Sequence, residues 1–279
     1  MEYILPSKNL LEKERKNLDN DKYYTLYEII DHKDFEEKFA CVLGKKDDGE
    51  YYYLKLSNVS GVFISGETGS GKSMLLHAII LSLLMENGPD DMKFIFYDKR
   101  KVELNSYITI PHLFDILYDF NDMKDIITLL DYRKDLFISK RVTNIEEYNK
   151  EANKRLPRIV IVIDEVGDLL NKDVFKNSLI QILSEGYKYG IHLIMATSSY
   201  LKDYYDNKIL DLFSYVLTFD LASHEQAKFI KIDDTHLLNA HGDAKIKCRT
   251  DDVVDLQTPY VYASDIENVV NFINNNYTK

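Results

Sequence analysis

The spacing of hydrophobic positions changes several times along this chain, and each change predicts a different element. Short β-rich runs begin near Phe39, where FACVLG and YYYLKL flank the polar stretch KKDDGE. Asp-Asp-Gly between two such runs is a hairpin signal. Within Asp173–Tyr189 the apolar residues recur instead at helical spacing. The pattern therefore predicts a chain that combines strands with helices.

From residue 61 onward, strand-like and helix-like segments alternate. We predict strands at Gly61–Ser65, Lys93–Tyr97, Ile159–Ile163, Ile191–Ala196 and Tyr215–Phe219. Helices are expected at Lys72–Glu86, Asn121–Lys140, Ile145–Lys154, Asp173–Tyr189 and Ser264–Ile273. The unbroken β-branched run at 159–163 is typical of a strand that is buried on both faces. This alternation predicts an α/β fold, with a central, mostly parallel sheet and helices on both faces.

The first part of the chain differs from the rest in its pattern. Residues 7–34 are rich in charge and their apolar positions are thin. We therefore predict a short N-terminal helical arm at residues 1–34 and one main domain at residues 35–279.

Composition and charge exclude several classes of protein. The 279 residues carry 35 Lys and Arg against 46 Asp and Glu, a net charge of −11. This acidity disfavours a domain that wraps DNA by itself, because DNA phosphates attract positive charge. Cys41 and Cys248 are too few for a disulfide framework. No stretch approaches the roughly 20 apolar residues that cross a bilayer. We therefore expect a cytoplasmic protein without direct membrane insertion.

The strongest local motif follows the strand GVFIS and opens the helix KSMLLHAII. It has the form G-x-x-x-x-G-K-[ST] and consists of Gly66, Glu67, Thr68, Gly69, Ser70, Gly71, Lys72 and Ser73. In such a phosphate-binding loop, or P-loop, the backbone N–H groups and the helix N-terminus surround phosphate oxygens. Lys72 would reach the β- and γ-phosphates, and the Ser73 hydroxyl would ligate Mg²⁺. The motif predicts binding of ATP with Mg²⁺.

A second motif stands at the end of the β-branched run, where Asp164 and Glu165 follow Ile163. A hydrophobic strand that ends in Asp-Glu matches the Walker B pattern of ATPases. Asp164 would support Mg²⁺, and Glu165 would polarise the attacking water. The alternative is an acidic strand end at a helix N-cap.

A third feature is a predicted strand that ends in Asp98 and precedes the basic triplet at 99–101. The triplet either lies on the ligand side of the sheet or belongs to a solvated loop.

Together with their surroundings, these motifs resemble the motor domain of the FtsK/SpoIIIE family of ring-forming ATPases. The segments that carry the resemblance are YILPS at 3–7, VLGKKDDGE at 42–50, DKRKVELNSYITIPHLF at 98–114, RVTNIEEYN at 141–149, LPRIVIVIDEVGDLL at 156–170, YGIHLIMAT at 189–197 and LLNAHGDAKI at 237–246. The resemblance implies a RecA-like P-loop NTPase core and assembly into hexameric rings. The best-known members translocate double-stranded DNA, whereas others act as coupling ATPases in conjugation or power type VII protein secretion.

Three departures from the family pattern bear on hydrolysis. Tyr187 stands where the family places an arginine finger, with Lys188 next to it. Ser198 and Ser199 replace the family's Gln and Arg after the Ala-Thr strand end. There is also no arginine between Arg158 and Arg249. An arginine finger contributes about 10³–10⁵ in rate, and a lysine replaces its planar, bidentate group poorly. Binding of nucleotide survives these losses better than fast hydrolysis does.

We expect a minimal soluble ATPase that moves DNA in a plasmid, conjugation or phage setting, with a membrane-bound or conjugation protein as partner. Lys202 and Lys208 follow the strand after which family members touch DNA, and they are the candidate DNA contacts. One alternative is a nucleotide-binding assembly or regulatory module with weak hydrolysis. Another is a coupling ATPase of protein secretion.

Overall fold

Within the residues that the structure describes, ten strands form one mixed sheet in the order β2-β1-β10-β9-β8-β3-β7-β6-β4-β5. The computed structural model describes residues 3–14, 23–31, 38–98, 102–117, 122–166, 172–198, 207–221, 223–239, 241–249 and 252–277. The strands are β1 (Ala40–Lys46), β2 (Tyr51–Lys55), β3 (Gly61–Ser65), β4 (Met92–Asp98), β5 (Leu113–Leu117), β6 (Arg158–Asp164), β7 (Ile191–Thr197), β8 (Tyr215–Thr218), β9 (Asp243–Cys248) and β10 (Val253–Gln257).

Eight α-helices accompany this sheet within the described residues. They are α1 (Leu26–Asp31), α2 (Lys72–Glu86), α3 (Met123–Lys140), α4 (Ile145–Glu151), α5 (Asp173–Glu185), α6 (Asn207–Leu210), α7 (His224–Ile230) and α8 (Ala263–Asn276). A short 3-10 turn, Gly186–Tyr189, continues α5 toward β7.

The sheet has a parallel block and an antiparallel block. β8, β3, β7, β6, β4 and β5 pair in parallel. β9, β10, β1 and β2 continue the sheet from β8 by antiparallel pairing. Because the carboxyl ends of β3, β4, β6 and β7 lie at one edge, the loops that follow them lie side by side.

Alternate residues of the parallel strands pack on opposite faces of the sheet, as the pleat of a strand requires. Val62 and Ile64 belong to one core cluster, which includes apolar residues of α2 and α8. Phe63 belongs to the other, which includes apolar residues of α3 and α5. The predicted α/β fold with helices on both faces is therefore confirmed.

Several element predictions were close, and some strands were missed. Helix α2 begins and ends at the predicted residues. Helix α4 ends at Glu151 instead of Lys154, and α5 ends at Glu185, where the 3-10 turn follows it as far as Tyr189. The hydrophobic pattern did not predict β5, β9 or β10. In β9 only Ala244 and Ile246 are buried, so this strand shows a weak alternation instead of an apolar run. Such strands are hard to find because packing against neighbours, not their own pattern, makes them stable.

The described part of the predicted N-terminal arm packs on the main core. Leu11, Leu26 and Ile29 are buried in the cluster that includes α2. The backbone N–H of Glu12 donates to Oδ1 of Asp265 in α8 at 2.6 Å. Residues 15–22 and 32–37 lie outside the described residues, and the division at residue 34 stays a prediction.

Candidate functional site

The P-loop lies between β3 and α2, as its sequence predicted. Gly71, which precedes the first residue of α2, has φ 125°, and Gly66 has φ 154°. A Cβ on Gly71 would lie 3.0 Å from Cε1 of Phe219 and 3.2 Å from Cα of Gly242. A Cβ on Gly66 would approach Cβ of Phe219 to 2.7 Å. Glycine is therefore required at both positions, for backbone conformation and for space.

Lys72 lies inside the loop that it closes. Its side chain is buried, and Nζ donates to the carbonyl oxygens of Gly66 and Glu67, at 2.7 Å in each case. The ammonium group is thus held at the concave side of the loop, at the N-terminus of α2. Both the positive charge and the helix dipole favour a phosphate group at this position.

Asp164 is the last residue of β6 and lies in register with Asp98, the last residue of β4. Burial, together with the carboxylates of Asp98, Glu103 and Glu165, raises the pKa of Asp164 to about 6, and Lys72 opposes this shift. Proximity of several carboxylates is unfavourable without a cation. The strand end is therefore electrostatically suited to a positively charged ligand.

Asp98 also has a structural role. Its Oδ2 accepts the backbone N–H groups of Val102, at 2.8 Å, and of Leu104, at 3.1 Å. These bonds shape the turn after β4 and bring Glu103 to the site. The basic triplet at 99–101 lies outside the described residues, so its two interpretations stay open.

Glu165 follows Asp164 in a left-handed conformation, with φ 55°. Thr197 Oγ1 donates to its Oε1 at 3.0 Å, and the backbone N–H of Ser198 donates to Oε2 at 3.0 Å. The Ser198 hydroxyl also donates to Oε2. A non-glycine residue with positive φ is uncommon and is found at functional sites. The end of β7 therefore determines where this carboxylate lies.

These groups surround one cavity of about 430 Å³, which we call the phosphate cavity. It is lined by Thr68, Gly69, Gly71, Lys72, Ser73, Met74, Val102, Glu103, Asp164, Glu165 and Ser198. The structure thus brings together the P-loop and the Walker B pair, which are about 90 residues apart in sequence. Gly66, Glu67 and Ser70 belong to the same loop but are not among the residues that line the cavity.

Glu103 is a site residue that the sequence motifs did not predict. Its Oε2 lies 3.3 Å from Nε2 of His77 in α2, and Nδ1 of His77 lies 3.0 Å from the hydroxyl of the buried Tyr107. The signal was available, since Glu103 is the glutamate of the family-like stretch DKRKVEL. A local motif could not indicate that this glutamate turns toward the P-loop.

The residues present fit a magnesium ion held jointly with phosphate. Within the described ranges, no group of three or more His, Cys, Asp or Glu side chains could hold a metal ion by itself. Mg²⁺ takes oxygen ligands and is commonly bound by one or two protein groups, substrate phosphates and water. Ser73 and Asp164 both line the phosphate cavity, and the hydroxyl and the carboxylate would suit that arrangement.

The two candidate DNA contacts are not part of the phosphate cavity. Lys208 is exposed on α6, whereas Lys202 lies outside the described residues.

Tyr187 is half-buried in the 3-10 turn after α5, and Nζ of Lys188 lies 5.9 Å from the centroid of the Tyr187 ring. Ser199 also falls outside the described part of the chain. Among the helices that the structure describes, none is both long and apolar enough to span a bilayer.

Comparison with solved structures supports the fold. The cytoplasmic domain of the type VII secretion ATPase EccC of Thermomonospora curvata superposes with a TM-score of 0.79 at 20% identity, over 90% of this chain and 34% of that chain. The pCW3 conjugation coupling protein TcpA, in its monomer form with ATPγS, gives a TM-score of 0.73 at 19% identity, over 85% of this chain and 71% of that chain. At these identities the likeness concerns the fold alone.

Sequence relatives supply the family. The DNA translocase FtsK of Caldanaerobacter subterraneus subsp. tengcongensis is 30% identical over 93% of this chain and 39% of its own length. The same protein of Streptococcus pneumoniae is 29% identical over 98% of this chain and 38% of its own length. This chain therefore spans about two fifths of the length of these relatives. The profile of the FtsK/SpoIIIE family matches residues 25–203, which is more than half of the sequence. The chain belongs to the FtsK/SpoIIIE family.

Proposed function

We propose that this chain is an ATP-hydrolysing motor that moves double-stranded DNA. One observation carries the proposal: Lys72 and Ser73 of the P-loop line the same cavity as Asp164 and Glu165. A phosphate-binding loop that faces two strand-end carboxylates is what phosphoryl transfer to water requires. DNA as the cargo is supported by the translocase relatives, which are longer than this chain.

Each residue has a distinct role in this proposal. Lys72 and the loop N–H groups bind and orient the phosphates, while Ser73 and Asp164 hold the metal ion. Mg²⁺, when bound, neutralises charge on the phosphate oxygens. Glu165 orients the attacking water and accepts a proton from it. Glu103, supported by His77, contributes a further negative charge beside Asp164.

The net charge of −11 is compatible with this function if the chain assembles into a ring. A ring needs positive charge only along its pore, where Lys202 and Lys208 are the proposed DNA contacts. We propose a hexameric ring in the cytoplasm, in contact with a membrane-bound or conjugation partner protein.

The test measures ATP turnover by the full chain with and without duplex DNA, and its mass with Mg²⁺-ATP. We expect DNA to stimulate turnover and Glu165→Gln to abolish it while ATP still binds. Lys72→Ala should abolish binding. Lys208→Ala should weaken only the stimulation by DNA, and Lys176→Ala serves as a control on α5. Turnover that duplex DNA leaves unchanged at every protein concentration would contradict the translocase function.

The surroundings of Tyr187 favour a second candidate, a nucleotide-dependent assembly module with weak hydrolysis. The tyrosine occupies the arginine-finger position, and the neighbouring Lys188 lies over its ring. In this case we expect tight ATP binding, monomers or dimers in solution, and turnover that Lys188→Ala does not change. A ring that forms with increasing concentration and hydrolyses ATP briskly would exclude this candidate.

A further inference from the structure

His77 lies in α2, four residues after Ser73. Residues at this spacing share one face of a helix, so the two side chains lie on the same side of α2. The His77 side chain is only 7% exposed, and it is not among the residues that line the phosphate cavity. An imidazole that does not itself reach the cavity can act on it only through a neighbouring group.

That neighbouring group is the carboxylate of Glu103. Nε2 of His77 lies 3.3 Å from Oε2 of Glu103, and Glu103 lines the phosphate cavity. The backbone on both sides of Glu103 is held in place, because the N–H groups of Val102 and Leu104 both donate to the carboxylate of Asp98. Asp98 therefore determines where the backbone of Glu103 lies, and the Glu103 carboxylate faces His77.

The other nitrogen of the His77 ring faces a buried phenol. Nδ1 lies 3.0 Å from the hydroxyl of Tyr107, which ends the 3-10 turn Asn105–Tyr107 and is fully buried. The Tyr107 ring also packs against Phe96 of β4, with ring centroids 6.1 Å apart. Burial raises the pKa of Tyr107 well above its ordinary value. The phenol therefore keeps its proton, and the core fixes the position of its hydroxyl.

These two contacts select one protonation state of the imidazole. A neutral histidine has one N–H donor and one acceptor nitrogen, whereas the charged ring has two donors. With a proton on Nδ1, the Tyr107 hydroxyl would lose its acceptor, and an unpaired buried donor is costly. Among the described residues the structure gives this hydroxyl no other hydrogen-bond partner. Tyr107 therefore donates to Nδ1, and Nε2 carries its proton toward Glu103.

Glu103 also lies close to Asp164. Burial and the carboxylate of Asp98 raise the pKa of Asp164, and the carboxylate of Glu103 adds to that rise. Carboxylates grouped in this way repel each other when no cation is bound. A neutral imidazole stabilises the ionised Glu103 through one N–H without adding a positive charge. The negative charge of Glu103 therefore stays available to a cation in the phosphate cavity.

We propose that His77 is a positioning residue for the metal: fixed by Tyr107, it directs the Glu103 carboxylate toward the water molecules that surround Mg²⁺. The inference rests on the proposed function, since it requires Mg²⁺ on Ser73 and Asp164. Mg²⁺ gives up its water reluctantly and usually keeps several molecules. A carboxylate outside the ligand set accepts hydrogen bonds from such water, and outer partners of this kind change metal affinity about 10–100-fold.

The first measurement is the imidazole nitrogen NMR spectrum of the full chain, which separates protonated from unprotonated ring nitrogens. The chain has seven histidines, and the signals that His77→Gln removes are those of His77. We expect a neutral ring with its proton on Nε2. In Tyr107→Phe, which keeps the ring but lacks the hydroxyl, the preference for Nε2 should fall. A proton on Nδ1, or an unchanged preference in Tyr107→Phe, would overturn the proposal.

The second measurement is the affinity of the full chain for ATP, by calorimetry, with Mg²⁺ present and with the metal chelated. The ratio of the two affinities isolates the contribution of the metal. His77→Leu can neither accept from Tyr107 nor donate to Glu103, so it should lower this ratio about tenfold and leave the affinity for metal-free ATP unchanged. His77→Gln, which has both an acceptor and a donor, should keep the ratio within about threefold of the parent value.

A double-mutant cycle tests whether His77 acts through Glu103. Glu103→Gln should lower the ratio as much as His77→Leu does, and the double variant should lose no more than either single variant, because the two residues act as one unit. His224→Leu, at a histidine that is exposed on α7, is the matched control and should leave the ratio unchanged.

The outcomes are separable from those of the proposed function. If the parent chain binds ATP equally well with and without Mg²⁺, the metal site of the proposed function fails, and this inference fails with it. If the parent ratio is large but His77→Leu does not lower it, or if the losses add in the double variant, only the positioning role fails. Equal weakening of both forms of ATP by His77→Leu would mean that His77 is structural alone, which also contradicts the inference.

Discussion

Ser198 donates two hydrogen bonds to a single oxygen of Glu165, one from its backbone N–H at 3.0 Å and one from its hydroxyl. Thr197 binds the other carboxylate oxygen at 3.0 Å. Hydrogen bonds to an ionised carboxylate are among the stronger ones in proteins, and they stabilise its charged form. Glu165, which would activate water, is therefore held at the end of β7 by Thr197 and Ser198. Ser198 stands at the position at which the family carries Gln.

The Ser198 hydroxyl should restrain Glu165. In Ser198→Ala we expect ATP turnover to rise about threefold, because Oε2 regains a lone pair for the attacking water, while ATP affinity stays unchanged. The unfolding free energy should fall by about 1–2 kcal/mol for the lost charged bond. Steady-state kinetics, calorimetry and urea unfolding measure the three quantities. A tenfold fall in turnover would mean instead that Ser198 positions Glu165 productively.

The P-loop should not accept a side chain at Gly71. Because Cβ would lie 3.0 Å from Phe219 and 3.2 Å from Gly242, Gly71→Ala should abolish ATP binding as well as strain the backbone. Gly49→Ala is the control, since Gly49 also has a positive φ, 91°, but a Cβ there meets only Cε of Lys45 at 3.9 Å. Both variants should lose about 1–2 kcal/mol of stability from the left-handed conformation. Equal ATP affinity in the two variants would contradict the steric argument.

Buried His192 should make the fold sensitive to acid. Burial, reinforced by the charge of Arg158, lowers the pKa of His192 to about 3, from an ordinary value of 6.5. Its Nε2 lies 2.8 Å from Nη1 of Arg158 and its Nδ1 lies 2.7 Å from the carbonyl oxygen of Val59. The neutral ring therefore accepts from the guanidinium and donates to the carbonyl.

The sign of the pH effect follows from this depressed pKa. Below pH 6.5 the unfolded chain binds a proton at this residue that the folded chain does not, so stability is complete above pH 6.5 and falls toward pH 3. We expect a loss of about 2–3 kcal/mol between pH 7 and pH 4.5 from His192 alone. Urea unfolding of the parent chain and of His192→Gln, which keeps an acceptor and a donor, tests this value. Identical pH profiles for the two chains would refute it.

An arginine restored at position 187 should raise hydrolysis only if a neighbouring copy presents it. We expect Tyr187→Arg to increase ATP turnover at least tenfold at concentrations where the chain self-associates, since an arginine finger neutralises transition-state charge. Turnover per chain should not change at high dilution. Tyr187→Lys is the comparison and should give a smaller gain. A gain that is independent of concentration would argue against action between subunits.

The contiguous part of the candidate site could be predicted from sequence. The P-loop and the Asp164–Glu165 pair each belong to one strand end, and their chemistry is local. The resemblance to the FtsK/SpoIIIE family extended that prediction to the fold, which the structure and the relatives confirmed. In contrast, β9 and β10 were missed, because half-exposed antiparallel strands derive their stability from neighbours.

The sequence by itself determined which residues can bind phosphate, which strand is buried on both faces, and where arginine is missing. Only the tertiary structure decided which distant residues meet the P-loop. Parallel pairing of β4, β6 and β7 brings Glu103, Glu165 and Ser198 to one sheet edge. Pairing of residue 25 with residue 260 brings Tyr23 to His241. The physical reason is that strand register and chain crossing are properties of the whole sheet, and no local pattern encodes them.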